Sequence, residues 1–468
     1  MKNILFLFIT CLPLSLLSQN PEALRANYWY FGFGAGLDFS DGTPVPITNG
    51  GLHTYESSSS ISDLNGNLLF YTDADTVWNR NHSPMPNGHG LLGCGDYFGS
   101  SSQAGLIVPQ PANDSIYYIF TTDCWENSAI SGFRYSIVNM NLNNGLGDVV
   151  EKNNLLFAPN TEGVAAVKHR NNIDYWIVTH EYNTNRFFSY KLDSTGLNIV
   201  PVITSIGSIY WDFVVYLRFS LDGKKLASAA SVINELYDFD NATGIVSNRI
   251  PVNGYTGEYS PTFSPDGSKL YFMNSGNLIL QYCLLEDDSA AINSSMTLVA
   301  HSENNSAYGG LQNGIDNKIY IASGFDFNSF VSVIHNPNVY GAACNFSSHS
   351  LYLDGKTSYL GLPNFVANYL YSGDSIPILD CSGIGIEEDG KINPIIYPNP
   401  SHNKLNIKVS NAGEIYISIY NLLGAILFDY KFYSSDISID LTNLPEGMYV
   451  LNIINDNKRF TQKLIIRK

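Results

Sequence analysis

Residues able to act as acids, bases or ligands are plentiful in this chain, and most are scattered. Asp63, Asn65, Asn67, Asp73 and Asp75, in the run SDLNGNLLFYTDAD, form the densest set of oxygen donors, the atom type that calcium takes. The glycine of that run is the fourth residue counted from Asp63, whereas a helix-loop-helix calcium loop needs it sixth. Asn65-Gly66 therefore reads as a hairpin turn and Asp73 as the end of a strand. His169, His180 and Glu181 cluster in one stretch, and His53, His82 and His89 in another, with neither at a metal-site spacing. No GxSxG elbow, HExxH helix, Walker loop or CxxC pair occurs, so the chemistries those motifs carry are without their signatures. Gly32, Gly34 and Gly36 alternate with Phe33 and Ala35 in a strand-like run that opens no helix, which is strand packing and not a dinucleotide loop. Pairs of carboxyl groups can cleave glycosidic bonds. With 42 acidic residues the sequence offers many pairs and selects none. No catalytic, cofactor or metal residue is assigned, and calcium finds donors without a motif.

Aromatic side chains are the other chemical resource: 31 Tyr, 25 Phe and 5 Trp. Most are expected to pack sheet against sheet. Trp125, in TTDCWENSAISG, and Trp211, in SIYWDFVVY, are the candidates for stacking on a sugar ring or anchoring a protein partner. Cysteines number six, at 11, 94, 124, 283, 344 and 381. In an oxidising compartment Cys344 with Cys381 is the first expected bridge, tying the last repeat to the exit segment, and Cys94 with Cys124 the second.

A net charge of −17 and a pI near 4.8 exclude gripping nucleic acid or an anionic bilayer, which both need basic surface. The start, MKNILFLFITCLPLSLLSQ, has Lys2, an apolar run and small Ser18, the order of a cleaved signal peptide over residues 1–18. Its apolar run, interrupted by Pro13, is too short to span a bilayer, and no later stretch is long enough.

Between residues 19 and 380 one pattern recurs: a strand, a turn with Asn or Asp, then an aromatic or aliphatic strand. Asn65, Asn113, Asn171, Asp222, Asp266 and Asp316 mark six such turns at roughly 50-residue intervals, the period of propeller blades. A second hairpin follows most of them. One such hairpin, WYFGFGAGLDFSDGTPVPIT, stands alone at the start, and its partner is expected in SYLGLPNFVANYLYSG at the far end. Building one blade from both termini gives seven and removes a free sheet edge.

After a linker over 381–393 the chain changes character. Residues 391–468 hold nine basic and six acidic residues, +3, which leaves −17 − 3 = −20 on the first 390. Short alternating strands separated by Pro, Gly and Asn predict a small immunoglobulin-like β-sandwich over 394–468. Tyr397-Pro398-Asn399-Pro400, Gly424, and Gly447 with Tyr449 in LPEGMYV resemble the C-terminal sorting domain, type A, of the type IX secretion system of Bacteroidota. That resemblance implies passage through the periplasm, the secretion machinery as partner, and a secreted or cell-surface location. SPDGSKLYF and SLDGKKLAS resemble the hairpins of WD-repeat-like and YVTN-type propellers. The N-terminal run and LGLPNF are similar to a family of secreted Bacteroidota propellers.

The expected molecule is all-β, a seven-bladed propeller followed by a sorting sandwich. Its expected role is non-enzymatic binding or adhesion, with a glycan or protein ligand. A polysaccharide hydrolase or lyase with its site in the propeller funnel, and a structural part of the gliding or secretion apparatus, are the alternatives.

Overall fold

All six recurring turns lie between two antiparallel strands, and their side chains show why. In Ser264-Pro265-Asp266-Gly267, the Asp266 carboxylate accepts from Ser264 Oγ (2.5 Å) and from the Ser268 N–H (3.0 Å). Ser220-Leu221-Asp222-Gly223 repeats the arrangement with Ser220 Oγ (2.6 Å) and the Lys224 N–H (3.1 Å). Gly267 and Gly223 take φ of +72° and +73°, the left-handed region that glycine enters without a Cβ clash.

The computed structural model describes residues 20–468 apart from 95–98, 232, 254–257, 275–276, 303–307, 325–327, 372–377, 380, 382–393, 410–413, 422–424 and 456–457. The expected leader, most of the expected linker and Gly424 lie outside the described residues. Two compact units divide the chain, Met1–Cys381 and Ser382–Lys468.

The described residues of the first unit form seven small antiparallel sheets in chain order. The first has strands Tyr28–Phe31, Ala35–Asp38 and Val45–Ile47, and the second Ser59–Ser62, Leu68–Thr72 and Val77–Asn79. The later sheets start with Gly105–Pro109, Asn160–Lys168, Tyr216–Phe219, Glu258–Phe263 and Leu311–Asn313. The third, fifth, sixth and seventh sheets are four-stranded meanders, and in the fourth Gly196–Leu197 and Val202–Ser205 share one partner strand. An even number of antiparallel strands returns the chain to the end where the sheet began. From the second sheet to the seventh, each first strand packs beside the next. Their N-terminal ends therefore collect loops from several sheets at one end of the unit.

The two ends of this unit meet. Phe33 forms an isolated bridge with Thr357, and Trp29 packs on Tyr320 (5.5 Å) of the seventh sheet and on Phe365 (5.8 Å) of the far segment. Among the described residues the far segment adds no regular strand to the first sheet, which has three strands. Pro363 has no N–H for a ladder. The polar groups around it bond elsewhere: the Leu360 N–H to Tyr55 O (2.8 Å), the Asn364 N–H to Ser58 O (2.8 Å), and Asn364 Nδ2 to Val164 O (3.1 Å). A Cβ at Gly361 would stand 1.2 Å from Glu56 O, so only glycine fits.

Cys94 is bonded to Cys124 and Cys283 to Cys381, while Cys344 is a free, buried thiol. The expected Cys344–Cys381 pairing is thereby corrected. Cys344 is fully buried in a core cluster with Tyr271 and Met273, whereas the exit segment passes over the sixth sheet. There Lys269 Nζ donates to Leu379 O (2.8 Å) and Asp266 accepts from the Leu379 N–H (3.3 Å), which brings Cys381 to Cys283. Titration of residues 20–468 under denaturing, non-reducing conditions is expected to find one free thiol. The Cys283–Cys381 bridge closes a 98-residue separation. Cys381→Ser is expected to lower stability by about 3 kcal/mol in denaturant titrations, and an unchanged midpoint would contradict the bridge.

The second unit has two sheets. One holds Ile395–Tyr397, Lys404–Lys408 and Asp436–Asp440; the other holds Ile415–Tyr420, Ile426–Phe432, Gly447–Asn455 and Lys458–Ile466. Leu405, Ile407, Ile417, Ile439, Leu451 and Leu464 share a core built from both sheets, as alternating strands require. The motif residues are structural here. Asn399 accepts from the Ile465 N–H (3.0 Å) and donates to Lys463 O (2.7 Å), and Tyr449 OH donates to Pro445 O (2.7 Å).

Candidate functional site

The sets of residues singled out by composition do not come together. Asp63 accepts from the Asn65 and Asn67 N–H groups within its turn, while Asp73 accepts from Asp75 and Thr76 at the far end of the strand Leu68–Thr72. His169 and His180 stand at opposite ends of one hairpin, because Lys168 pairs with Tyr175 and Asn160 with Glu181. His53 lies against Phe33, His82 beside Tyr71 and Asn49, and His89 beside Thr76. Among the described residues, the one His/Cys/Asp/Glu group of metal-binding size is Cys94, Cys124 and Glu126, and its thiols are joined in a disulfide.

A site does form where the first strands begin. The starts of five consecutive sheets each bring one polar group there: Glu56, Ser102, Glu162, Tyr216 and Tyr259. Glu162 is 1% exposed. Its carboxylate accepts from the Ser102 N–H (2.9 Å), Ser102 Oγ (2.6 Å) and the Trp125 N–H (2.9 Å), and its own N–H donates to Phe213 O (2.9 Å). Burial pushes the Glu162 carboxyl up to about 7 against the pull of those donors. Glu56, bonded to Tyr259 and Ser102, is raised well above the usual carboxyl range by burial and then by Glu162. The Tyr216 hydroxyl donates to that of Tyr259 (3.1 Å), their rings meeting edge to face at 4.4 Å. Deeper along the same strand, Arg218 reaches Pro261 O (3.4 Å) and Leu311 O (3.3 Å). Glu56, Tyr259 and Arg218 each keep some accessible surface.

The rim is aromatic. Trp125 is 59% and Trp211 57% exposed, and the other three tryptophans are buried. Trp125 opens a short turn fixed by the Cys94–Cys124 bridge and by Asp123, which accepts from the Cys124 N–H (3.0 Å) and the Ser131 N–H (2.7 Å). Trp211 stands two residues before Phe213, whose ring stacks on Tyr182 at 3.8 Å. Glu162 is thus bonded to the backbone of Trp125 and to that of Phe213, two residues after Trp211, a conjunction that no local sequence signal announces. At the opposite end of the first strands, the turns Pro21–Ala26 and Ala367–Leu370 pack together. Asn368 accepts from the Lys168 N–H (2.6 Å) and donates to Leu221 O (2.9 Å), and Asn20 donates to Tyr371 O (3.0 Å).

The second unit is decided by sequence comparison. Residues 395–467 match the secretion system C-terminal sorting domain. That domain marks proteins carried by the type IX system to the cell surface or the extracellular space, and the secretion machinery is its partner. A 73-residue stretch is 37% identical to the ulvan lyase NLR42 of Nonlabens ulvanivorans, covering 15% of this chain and 14% of that protein. Among solved structures, the chain is similar to PorZ, described as an essential surface component of the type IX secretion system of Porphyromonas gingivalis. The identity is 12%, the TM-score 0.37, and the coverage 93% of this chain and 63% of PorZ, less than two thirds of its length. It is also similar to a functionally unknown protein of Desulfotomaculum acetoxidans, with 11% identity, a TM-score of 0.43, and 73% and 99% coverage. At these TM-scores neither likeness fixes a fold or a function. Among the described residues no helix is long and apolar enough to cross a membrane.

The buried titratable groups make a prediction about stability. Glu56 and Glu162 bind protons more tightly folded than unfolded, so their stabilising contribution is full below pH 4.5 and is lost as pH rises, up to about 7 for Glu162, by about 1.4 kcal/mol per unit for each proton. His180, fully buried with both ring nitrogens unbonded, is depressed to about 3 by burial. Its contribution is full above pH 6.5 and falls as pH drops. Glu56→Gln is expected to gain stability over the wild type as pH rises from 4.5 to 8 in urea titrations. An equal difference at both pH values would contradict the burial of Glu56.

Proposed function

We propose that residues 19–380 form a seven-bladed propeller that binds a glycan at the cell surface without cleaving it, in an adhesion role. Residues 1–18 serve as the export signal, 381–393 as linker and 394–468 as sorting module. Seven successive antiparallel sheets, their first strands side by side, support the propeller. One observation carries the binding reading: the exposed Trp125 donates its N–H to the Glu162 carboxylate, and the exposed Trp211 lies two residues before Phe213, whose carbonyl accepts from the Glu162 N–H. Flat exposed indoles beside hydrogen-bonding groups suit a sugar ring, which has an apolar face and a polar edge. Presenting the secreted protein to a polysaccharide array tests this, with retention on at least one polymer expected. Absence of binding across the array would move the ligand to a protein.

A second reading, a polysaccharide hydrolase, is favoured by one feature: burial raises the Glu56 carboxyl well above its usual range while Glu162 keeps three donors suited to its carboxylate. Release of reducing ends from a bound polymer would choose it, and intact polymer after prolonged incubation would reject it.

A further inference from the structure

Arg218, on the strand that begins with Tyr216, is the nearby charge that the protein leaves least compensated. Its Nε and Nη2 reach two carbonyl oxygens at 3.4 and 3.3 Å, both long, and among the described residues no carboxylate forms an ion pair with it. The nearby carboxyl groups are engaged elsewhere, Glu162 by Ser102 and Trp125, and Glu56 by Tyr259 and Ser102. A guanidinium removed from water without an anion is costly, and the fork of N–H groups is shaped for two oxygens of one carboxylate or sulfate. Burial lowers Arg218 only to about 10, so it stays cationic at neutral pH. Close by is Tyr216, whose hydroxyl donates to that of Tyr259.

We propose that the glycan is an acidic one and that Arg218 receives its anionic group, a uronate carboxylate or a sulfate ester. This rests on the glycan reading above and names the ligand class for that same site. The charge of the whole body makes the claim testable. With −20 on the first 390 residues, the protein offers a polyanion no nonspecific attraction, so retention of an acidic polymer reports a local cationic site.

The experiment uses the full secreted chain against immobilised polygalacturonate, dextran sulfate and unmodified dextran. Binding to at least one acidic polymer is expected at least tenfold tighter than to dextran, and which one is retained separates carboxylate from sulfate. Arg218→Met is expected to lose at least tenfold of that affinity, and Arg218→Lys, which keeps the charge but not the fork, part of it. The ligand-side counterpart needs no folded variant: methyl esterification of polygalacturonate, or desulfation of dextran sulfate, must abolish retention by the wild type. Equal binding to dextran, or retention that survives neutralisation of the polymer, overturns the acidic ligand while leaving the glycan reading in place. Failure to bind any polymer removes both.

Discussion

Deletion of residues 391–468 is expected to abolish appearance of the protein at the cell surface and to leave it cell-associated, protected from externally added protease. The removed module carries its own core of Leu405, Ile407, Ile417, Leu451 and Leu464, and the first unit keeps its seven sheets and both disulfides. The loss is therefore one of address and not of folding, and an unchanged β-type circular dichroism spectrum of the retained protein checks that point. A finer variant separates the shape of the module from its presence. Asn399→Ala removes two hydrogen bonds that hold the opening motif to the last strand, a loss of about 2 kcal/mol. It is expected to reduce export partially. Normal surface exposure of the truncated protein would contradict the role of residues 395–467.

The second large effect is expected at the rim. Replacing Trp125 and Trp211 together by alanine is expected to weaken polysaccharide binding at least a hundredfold, since two exposed aromatic anchors contribute about 2 kcal/mol each. Folding is expected to be spared. Both indoles are exposed, and Trp125→Ala keeps the backbone N–H that holds Glu162. A shift of the unfolding midpoint equivalent to less than about 0.5 kcal/mol is expected for each. Undiminished binding by the double variant would remove the rim from the account.

Much of the local structure was legible in the chain. The turns at Asp222 and Asp266 follow from a serine, an aspartate and a glycine at fixed offsets, which is chemistry within a few residues. The sorting module was legible because Asn399 and Tyr449 act through backbone groups that the motif itself supplies or faces. Trp125 and Trp211 stood out as tryptophans, the residue type suited to stacking on a sugar or anchoring a partner. Glu56 and Glu162 did not, because 42 acidic residues look alike until three sheets place Ser102, Trp125 and Phe213 around one of them. A search for an acidic residue at the start of each recurring first strand would have found both. One cysteine pairing failed for a related reason: a staple from the last repeat to the exit segment favoured Cys344 for Cys381, while the path of the exit segment over the sixth sheet favoured Cys283. The far segment was expected as a strand, and its close passage against Glu56 at Gly361, with Pro363 lacking a donor, made it a bonded thread instead.

The most direct test of the ligand site is acrylamide quenching of tryptophan fluorescence with and without a bound oligosaccharide. Trp29, Trp78 and Trp176 are 0%, 9% and 4% exposed, so nearly all quenching must come from Trp125 and Trp211. Saturating oligosaccharide is expected to remove most of it. Quenching that stays unchanged while the sugar is demonstrably bound would place the ligand elsewhere on the molecule and contradict the site at Glu162.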